Sequence, residues 1–288
     1  MQVGVVFPQT ELGGDVGAVR AYGERVEALG YRHILAFDHV VGADPKVHAG
    51  WNGPYDVQTT FHEPMVLFGF LAGVTRSLEF VTGVIILPQR QTALVAKQAA
   101  EVDLLSSGRF RLGVGIGWNT VEYEALGEEF GNRGKRSEEQ IEVLRRLWTE
   151  ESVTFNGKYH TVTGAGLAPL PVQRPIPVWI GANSKRGLER AGRIADGWFP
   201  MVVPGPGLEA ARSVVDQAAV DAGRDPKSIG MEAWVKWQGS PDDVVAKVGK
   251  WAAVGASHIS VNTMGAGLKT VDEHLAALTA VADALPKA

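Results

Sequence analysis

Three stretches of the 288-residue sequence hold residue types that chemistry needs. Asp38-His39 sets a carboxylate beside an imidazole, which near neutral pH can donate, accept or relay a proton. Gly113-Val114-Gly115-Ile116-Gly117-Trp118-Asn119 is almost bare backbone, on which a flat ring could lie close; a tight strand–helix contact is the other use of such glycines. Gly181-Ala182-Asn183-Ser184 opens a helix whose first N–H groups could meet an anion. Lys185, Arg186, Arg190 and Arg193 lie on or near that helix, and the arginines read best as a solvated basic face. The G-x-G-x-G run has Trp118 where a dinucleotide fingerprint needs glycine. H-E-x-x-H, a P-loop and G-x-S-x-G are all missing, which disfavours metal catalysis and serine hydrolysis, and no metal site is assigned. Trp51, His62 and Trp198, with His48 and Trp237, are pocket candidates, although large aromatics more often simply pack.

Each stretch closes an apolar run. Leu78–Pro88 and Phe110–Trp118 read as strands buried on both faces, joined by a helix over Leu94–Leu105 that Gly108 ends in a left-handed turn. Strand, helix, strand makes a parallel pair with a right-handed crossover, and ligands of such units gather at the strands' carboxyl ends. The rest of the chain keeps this rhythm. Strand one is Val3–Phe7, strand two His33–Phe37, strand five Val178–Ile180, strand six Gly197–Phe199, strand seven Met231–Trp237 and strand eight His258–Asn262. Helices between them open on Asp15, Pro64, a Ser137-Glu138-Glu139-Gln140 capping box, Ser240-Pro241 and Thr270. Residues 42–62 form a long loop that should be functional. Residues 150–175 break the rhythm as an insertion: a small hairpin turning at Asn156-Gly157, then a proline-rich return. The expected fold is therefore one (β/α)₈ barrel over residues 1–288 with this insertion between strands four and five.

Composition narrows the function. With 45% hydrophobic and 21% charged residues the chain can bury a sizeable core. A net charge of −4 offers no field for nucleic acid or an anionic membrane. The absence of cysteine removes disulfides and thiolate chemistry. The first residues read as a strand and not a signal peptide, and no apolar run reaches membrane-spanning length, so a cytoplasmic protein is expected.

Leu87-Pro88, Ala96-Lys97-Gln98, Leu104–Arg109, Leu112–Trp118 and Ala195–Trp198, taken together, resemble the bacterial luciferase-like monooxygenase superfamily, and within it the branch that uses the deazaflavin coenzyme F420. The resemblance implies an insertion-bearing barrel that dimerises and carries its cofactor across the mouth. It also implies a backbone bulge after strand three, often a non-prolyl cis peptide, placed by alignment at Val84-Ile85 beside Gly83. Asp38 and His39 take the catalytic and ring-contacting position. Gly83, Val84, Ile85, Gly117, Trp118 and Asn119 would border the ring, and Gly181, Ala182, Asn183 and Ser184 the anionic tail. Trp118 stands where the branch's sugar-phosphate dehydrogenases carry a glutamate, which argues against that substrate. The expected activity is F420-dependent hydride transfer to or from a small organic molecule. An FMN-dependent monooxygenase using reduced flavin and O₂ is the alternative.

Overall fold

In the computed structural model, which describes residues 1–286, alternating apolar strands and amphipathic helices close into one barrel. In chain order the elements are β1 (Gln2–Val6), α1 (Gln9–Leu12), α2 (Val16–Ala28), β2 (His33–Ala36), α3 (Pro64–Val74), β3 (Glu79–Thr82), β4 (Ile85–Ile86), α4 (Thr92–Leu105), β5 (Phe110–Gly115), α5 (Thr120–Ala125) and α6 (Arg133–Thr149). There follow β6 (Val153–Asn156), β7 (Thr161–Ala165), β8 (Val178–Ala182), α7 (Lys185–Ile194), β9 (Gly197–Pro200), α8 (Pro206–Asp221), β10 (Gly230–Lys236), α9 (Pro241–Ala253), β11 (His258–Asn262) and α10 (Val271–Ala284). Parallel pairing runs β1–β2–β3–β5–β8–β9–β10–β11 and back to β1; β4 continues β3 and also pairs with β5. The result is the eight-stranded (β/α)₈ barrel expected from the sequence, its third strand interrupted by a cis peptide between Gly83 and Val84. The interruption lies one residue earlier than the alignment placed it.

Helix starts follow their caps. Asp15 accepts from Ala18 N, Ser240 from Asp243 N, and Thr270 and Glu273 form a reciprocal capping box. Ser137 does not cap. α6 begins one turn earlier, and the Ser137 hydroxyl donates back to the Gly134 carbonyl from inside the helix. Arg136 in that extra turn is held by Glu128 and the Pro88 carbonyl, so tertiary contacts extend the helix past its local start signal. The β6–β7 hairpin lies outside the barrel as expected, but Asn156 belongs to the strand and residues 157–160 make the turn. Glu139 of α6 sets that turn, accepting from Lys158 N, Tyr159 N and His160 Nδ1.

Alternation along the strands divides the barrel interior into layers. At the amino ends lies a charged layer. Glu232 accepts from His33 Nε2 (2.8 Å), Ser260 Oγ (2.8 Å) and Arg111 Nη1 (2.8 Å); Arg111 also pairs with Glu79 and stacks on Trp179. Above it Val6, Leu35, Val81 and Phe199 form an apolar layer, topped by half-buried Phe37, Val84 and Trp234 at the carboxyl ends. The outward-facing alternates, such as Val5, Ile34, Phe80 and Leu112, form the larger core under the helices.

His258 borders the charged layer, edge-on to Trp179 at 5.2 Å and 5.7 Å from the His33 ring. Burial, and then repulsion by Arg111, pull its imidazolium down to about 3. Burial also pulls down His274, whose Nδ1 bonds Thr263. An unfolded histidine titrates near 6.5, so between these values the unfolded chain binds the extra proton. Stability must then fall as pH falls from about 6.5 toward about 3. Urea midpoints are expected to decline across that window, and His258→Asn to flatten its upper part. An unchanged slope in the variant would remove His258 as a source of the acid loss.

Candidate active site at the barrel mouth

The mouth is built on the loop after β2. Asp38 faces the side of the barrel wall: its carboxylate takes Arg90 Nη2 at 2.7 Å and Ile86 N at 3.1 Å, and Arg90 reaches on to Glu63 at 2.8 Å. Burial raises the Asp38 carboxyl above its ordinary value, against the opposing pull of Arg90. Asp38 thus ties the end of β2 to the resumed third strand.

His39 continues the inward alternation of His33, Leu35 and Phe37. Its ring lies edge-on to Tyr55 (4.6 Å), Phe61 (4.9 Å) and Trp118 (6.0 Å), and its Nδ1 is 3.5 Å from Glu122 Oε2. Glu122 was not anticipated from the sequence. It is buried in the first turn of α5 and also accepts from Val40 N (2.6 Å), Val41 N (3.3 Å) and Gln89 Nε2 (3.2 Å). Burial raises its carboxyl, but the bonds from His39 and Val40 outweigh that and hold it below the usual range, so it is an anion at neutral pH. Asn119-x-x-Glu122 has the spacing of a helix-start signature and could have flagged it. Asn119 is the cap, accepting from Val121 N (3.1 Å) and Glu122 N (3.3 Å).

The glycines serve the bulge more directly than the ring. A Cβ on Gly113 would lie 1.9 Å from the Thr82 carbonyl oxygen, one on Gly115 2.6 Å from Val84 Cγ2, and one on Gly117 2.7 Å from Ile86 Cγ2. A Cβ on Gly83 would lie 2.3 Å from Leu35 Cδ2. The bare run therefore makes room for the kinked third strand, a strand–strand contact in place of the strand–helix one considered from sequence. Val84 is thereby held at the centre of the floor, 3.2 Å from where a Gly181 Cβ would stand. Ile85 and Ala182 turn outward into the helix-facing core and can offer only backbone to the mouth.

Asn183 and Ser184 are exposed at the start of α7, where Ser184 Oγ accepts from Gly187 N at 3.2 Å. Lys185 and Arg186 are exposed beside them, while Arg190 and Arg193 both pair with Glu138 and are structural. Trp51 packs against Trp118 at 5.7 Å and donates to the Tyr55 carbonyl at 3.0 Å. His62 lies edge-on to Phe7 at 5.7 Å, its Nε2 buried without a hydrogen-bond partner among the described residues. Trp198 does not reach the mouth. It alternates with inward-facing Phe199 and so lies buried in the outer core under the helices.

The arrangement therefore joins an apolar floor (Phe37, Val84, Trp234), the His39–Glu122 pair at one edge, and a helix start at another. The family's sequence model, described as luciferase-like monooxygenase, matches residues 1–259. The chain belongs to the luciferase-like monooxygenase family. An uncharacterized protein of Mycobacterium tuberculosis (strain ATCC 25618 / H37Rv) is 41% identical over 139 residues, 48% of each chain. The FMNH(2)-dependent dimethylsulfone monooxygenase of Pseudomonas putida is 30% identical over 214 residues, 72% of this chain and 58% of that protein. The chain spans about half the length of the curated relatives it matches first. Among solved structures, an F420-dependent secondary alcohol dehydrogenase in complex with an F420-acetone adduct superposes with a TM-score of 0.80 at 17% identity, covering 99% of both chains. A monooxygenase from Streptomyces bottropensis gives 0.78 at 21%, covering 98% of both. The family model establishes the family, and the structural likenesses establish the luciferase-like barrel fold. No helix among the described residues is long and apolar enough to cross a membrane.

Proposed function

We propose that this chain is an oxidoreductase that moves a hydride between coenzyme F420 and a small organic substrate. The observation that carries the reading is the His39–Glu122 pair, set at the edge of an apolar floor of ring-sized residues. The residues present fit the coenzyme. Val84, cradled by Gly115 and Gly181, offers an apolar face to a ring, and the start of α7 with Lys185 and Arg186 offers N–H groups and cations to an anionic tail. The coenzyme, when bound, supplies the hydride donor or acceptor. The protein's part is to hold two rings in register, exclude water and manage the accompanying proton. Glu122 turns Nδ1 of His39 to itself, which leaves Nε2 to give or take that proton at the substrate. Asp38 fixes the loop end that carries His39 and is a positioning residue.

A second reading, an FMN-dependent monooxygenase consuming reduced flavin and O₂, is favoured by the 30% identity to the dimethylsulfone monooxygenase. Titration of the purified protein with F420 and with FMN, followed by fluorescence, separates the two. Micromolar F420 binding with FMN at least tenfold weaker supports the first reading, and the reverse order overturns it.

We further propose a homodimer joined through α3 and α4. α3 is apolar nearly throughout, yet Val66 is 70% exposed, Leu94 on α4 is 52% exposed, and Gly69 and Gly73 face open space. Such exposed apolar side chains on neighbouring helices offer a second copy a face to cover. Light scattering should give twice the chain mass of 30.8 kDa, and Val66→Asp should halve it. A monomeric wild type overturns the proposal.

A further inference from the structure

The inward alternation that sets Glu232 in the charged layer and Trp234 in the floor continues to Lys236, the last residue of β10. Met231, Ala233 and Val235 take the outward positions, packed under the helices. Lys236 pairs in register with Asn262 at the carboxyl end of β11 and is exposed. It makes no ion pair or side-chain hydrogen bond among the described residues. Other charges around the mouth are closed on one another, Asp38 and Glu63 on Arg90 and Glu122 on His39 with two backbone N–H groups, while the exposed cations Lys185 and Arg186 sit at the start of α7 and not on β10. An uncommitted ammonium thus takes the inward position next along β10 from the floor residue Trp234, while His39 follows β2 and Glu122 comes from α5.

The nearby walls are apolar. Trp118 is 45% exposed and braced by Trp51, Phe37 and Trp234 meet edge-on at 6.0 Å in the floor, and Met201 and Val202 beyond β9 are exposed. Flat rings stack on such surfaces, and a single cation beside them selects one negative group.

We propose that Lys236 anchors an anionic group of the substrate, and that the substrate is a planar, largely apolar acid whose body rests on Phe37, Trp234 and Trp118. The inference rests on the mouth being the redox site proposed above. It adds the substrate's charge and shape, and it assigns specificity to a residue outside the cofactor cradle.

The test uses two molecules of equal shape, 2-naphthoate and its neutral amide 2-naphthamide, titrated calorimetrically into the F420-loaded protein. The acid is expected to bind at least tenfold more tightly than the amide. Lys236→Gln should erase that ratio and leave F420 affinity within twofold, and Trp118→Ala should weaken acid and amide alike. Equal or tighter amide binding overturns the proposal, as does the failure of both to bind while F420 binds. A tenfold loss of F420 affinity in Lys236→Gln overturns it too, by assigning the lysine to the cofactor. If F420 itself does not bind, the F420 reading fails on its own account; the same pair titrated into the FMN-loaded and the ligand-free protein still decides the role of Lys236.

Discussion

Glu232→Ala should unfold this protein more readily than any substitution at the mouth, by about 3–5 kcal/mol in equilibrium guanidinium denaturation. Glu232 is fully buried, and its two oxygens satisfy His33, Ser260 and Arg111. Removing it leaves the Arg111 guanidinium, itself 5% exposed, with Glu79 as its remaining anion, and strips a partner from a buried imidazole. The cost is that of an uncompensated buried charge, which exceeds the worth of the intact pair. The control is Glu232→Leu combined with Arg111→Met, which removes both charges and should recover a large part of the loss. A single variant within about 1 kcal/mol of wild type, well under the penalty for breaking a buried pair, would show that the layer is hydrated and not sealed. The same carboxylate has a pH signature. Burial pushes Glu232 up, but His33 and Arg111 outweigh it and hold its carboxyl well below the usual range. Its contribution is therefore complete above the unfolded value, about 4.3, and is lost as pH falls below it. That loss begins where the histidine-linked decline is already advanced, so acid unfolding should proceed in two slopes.

The second large effect is expected on turnover. If the proposed function holds, His39→Ala should lower the rate of hydride transfer by about 10²–10⁴-fold, the range for loss of a general acid or base. Folding should be nearly untouched, because Glu122 keeps the Val40, Val41 and Gln89 donors when the imidazole is gone. Cofactor affinity should change little, since the cradle is formed by Val84, Gly115 and Gly181. The measurement is the single-turnover rate with cofactor prebound, alongside a denaturation midpoint. Wild-type turnover in the variant would remove His39 from the chemistry. A fall in turnover that follows a fall in the midpoint would make it structural.

The barrel was legible in the sequence because its strands are short apolar runs buried on both faces and its helices carry caps that work locally, at Asp15, Ser240 and Thr270. The failures lie where tertiary contacts overrule local signals. Ser137 looks like a cap, but Arg136 is anchored to Glu128 and Pro88 and carries the helix back a turn. Asn156-Gly157 looks like a two-residue turn, but Glu139 gathers the donors of a longer one. At the mouth, Asp38 and His39 were visible from their place after a strand. Glu122 and Arg90 were not, since nothing in the sequence reveals that residues so far along the chain will close on that dipeptide, Glu122 on His39 and Arg90, 52 positions on, on Asp38. The parity of Lys236 was hidden in the same way. It is read only once Glu232 and Trp234 are known to face inward.

The apolar layer of Val6, Leu35, Val81 and Phe199 stands between the charged layer and the mouth. Among the described residues no hydrogen bond or ion pair joins its two sides, so the energies of polar substitutions on them should nearly add. Randomised libraries at the rim can thus explore new specificities from an undiminished reserve of stability, and a chassis of this kind suits divergence by exchange of loops.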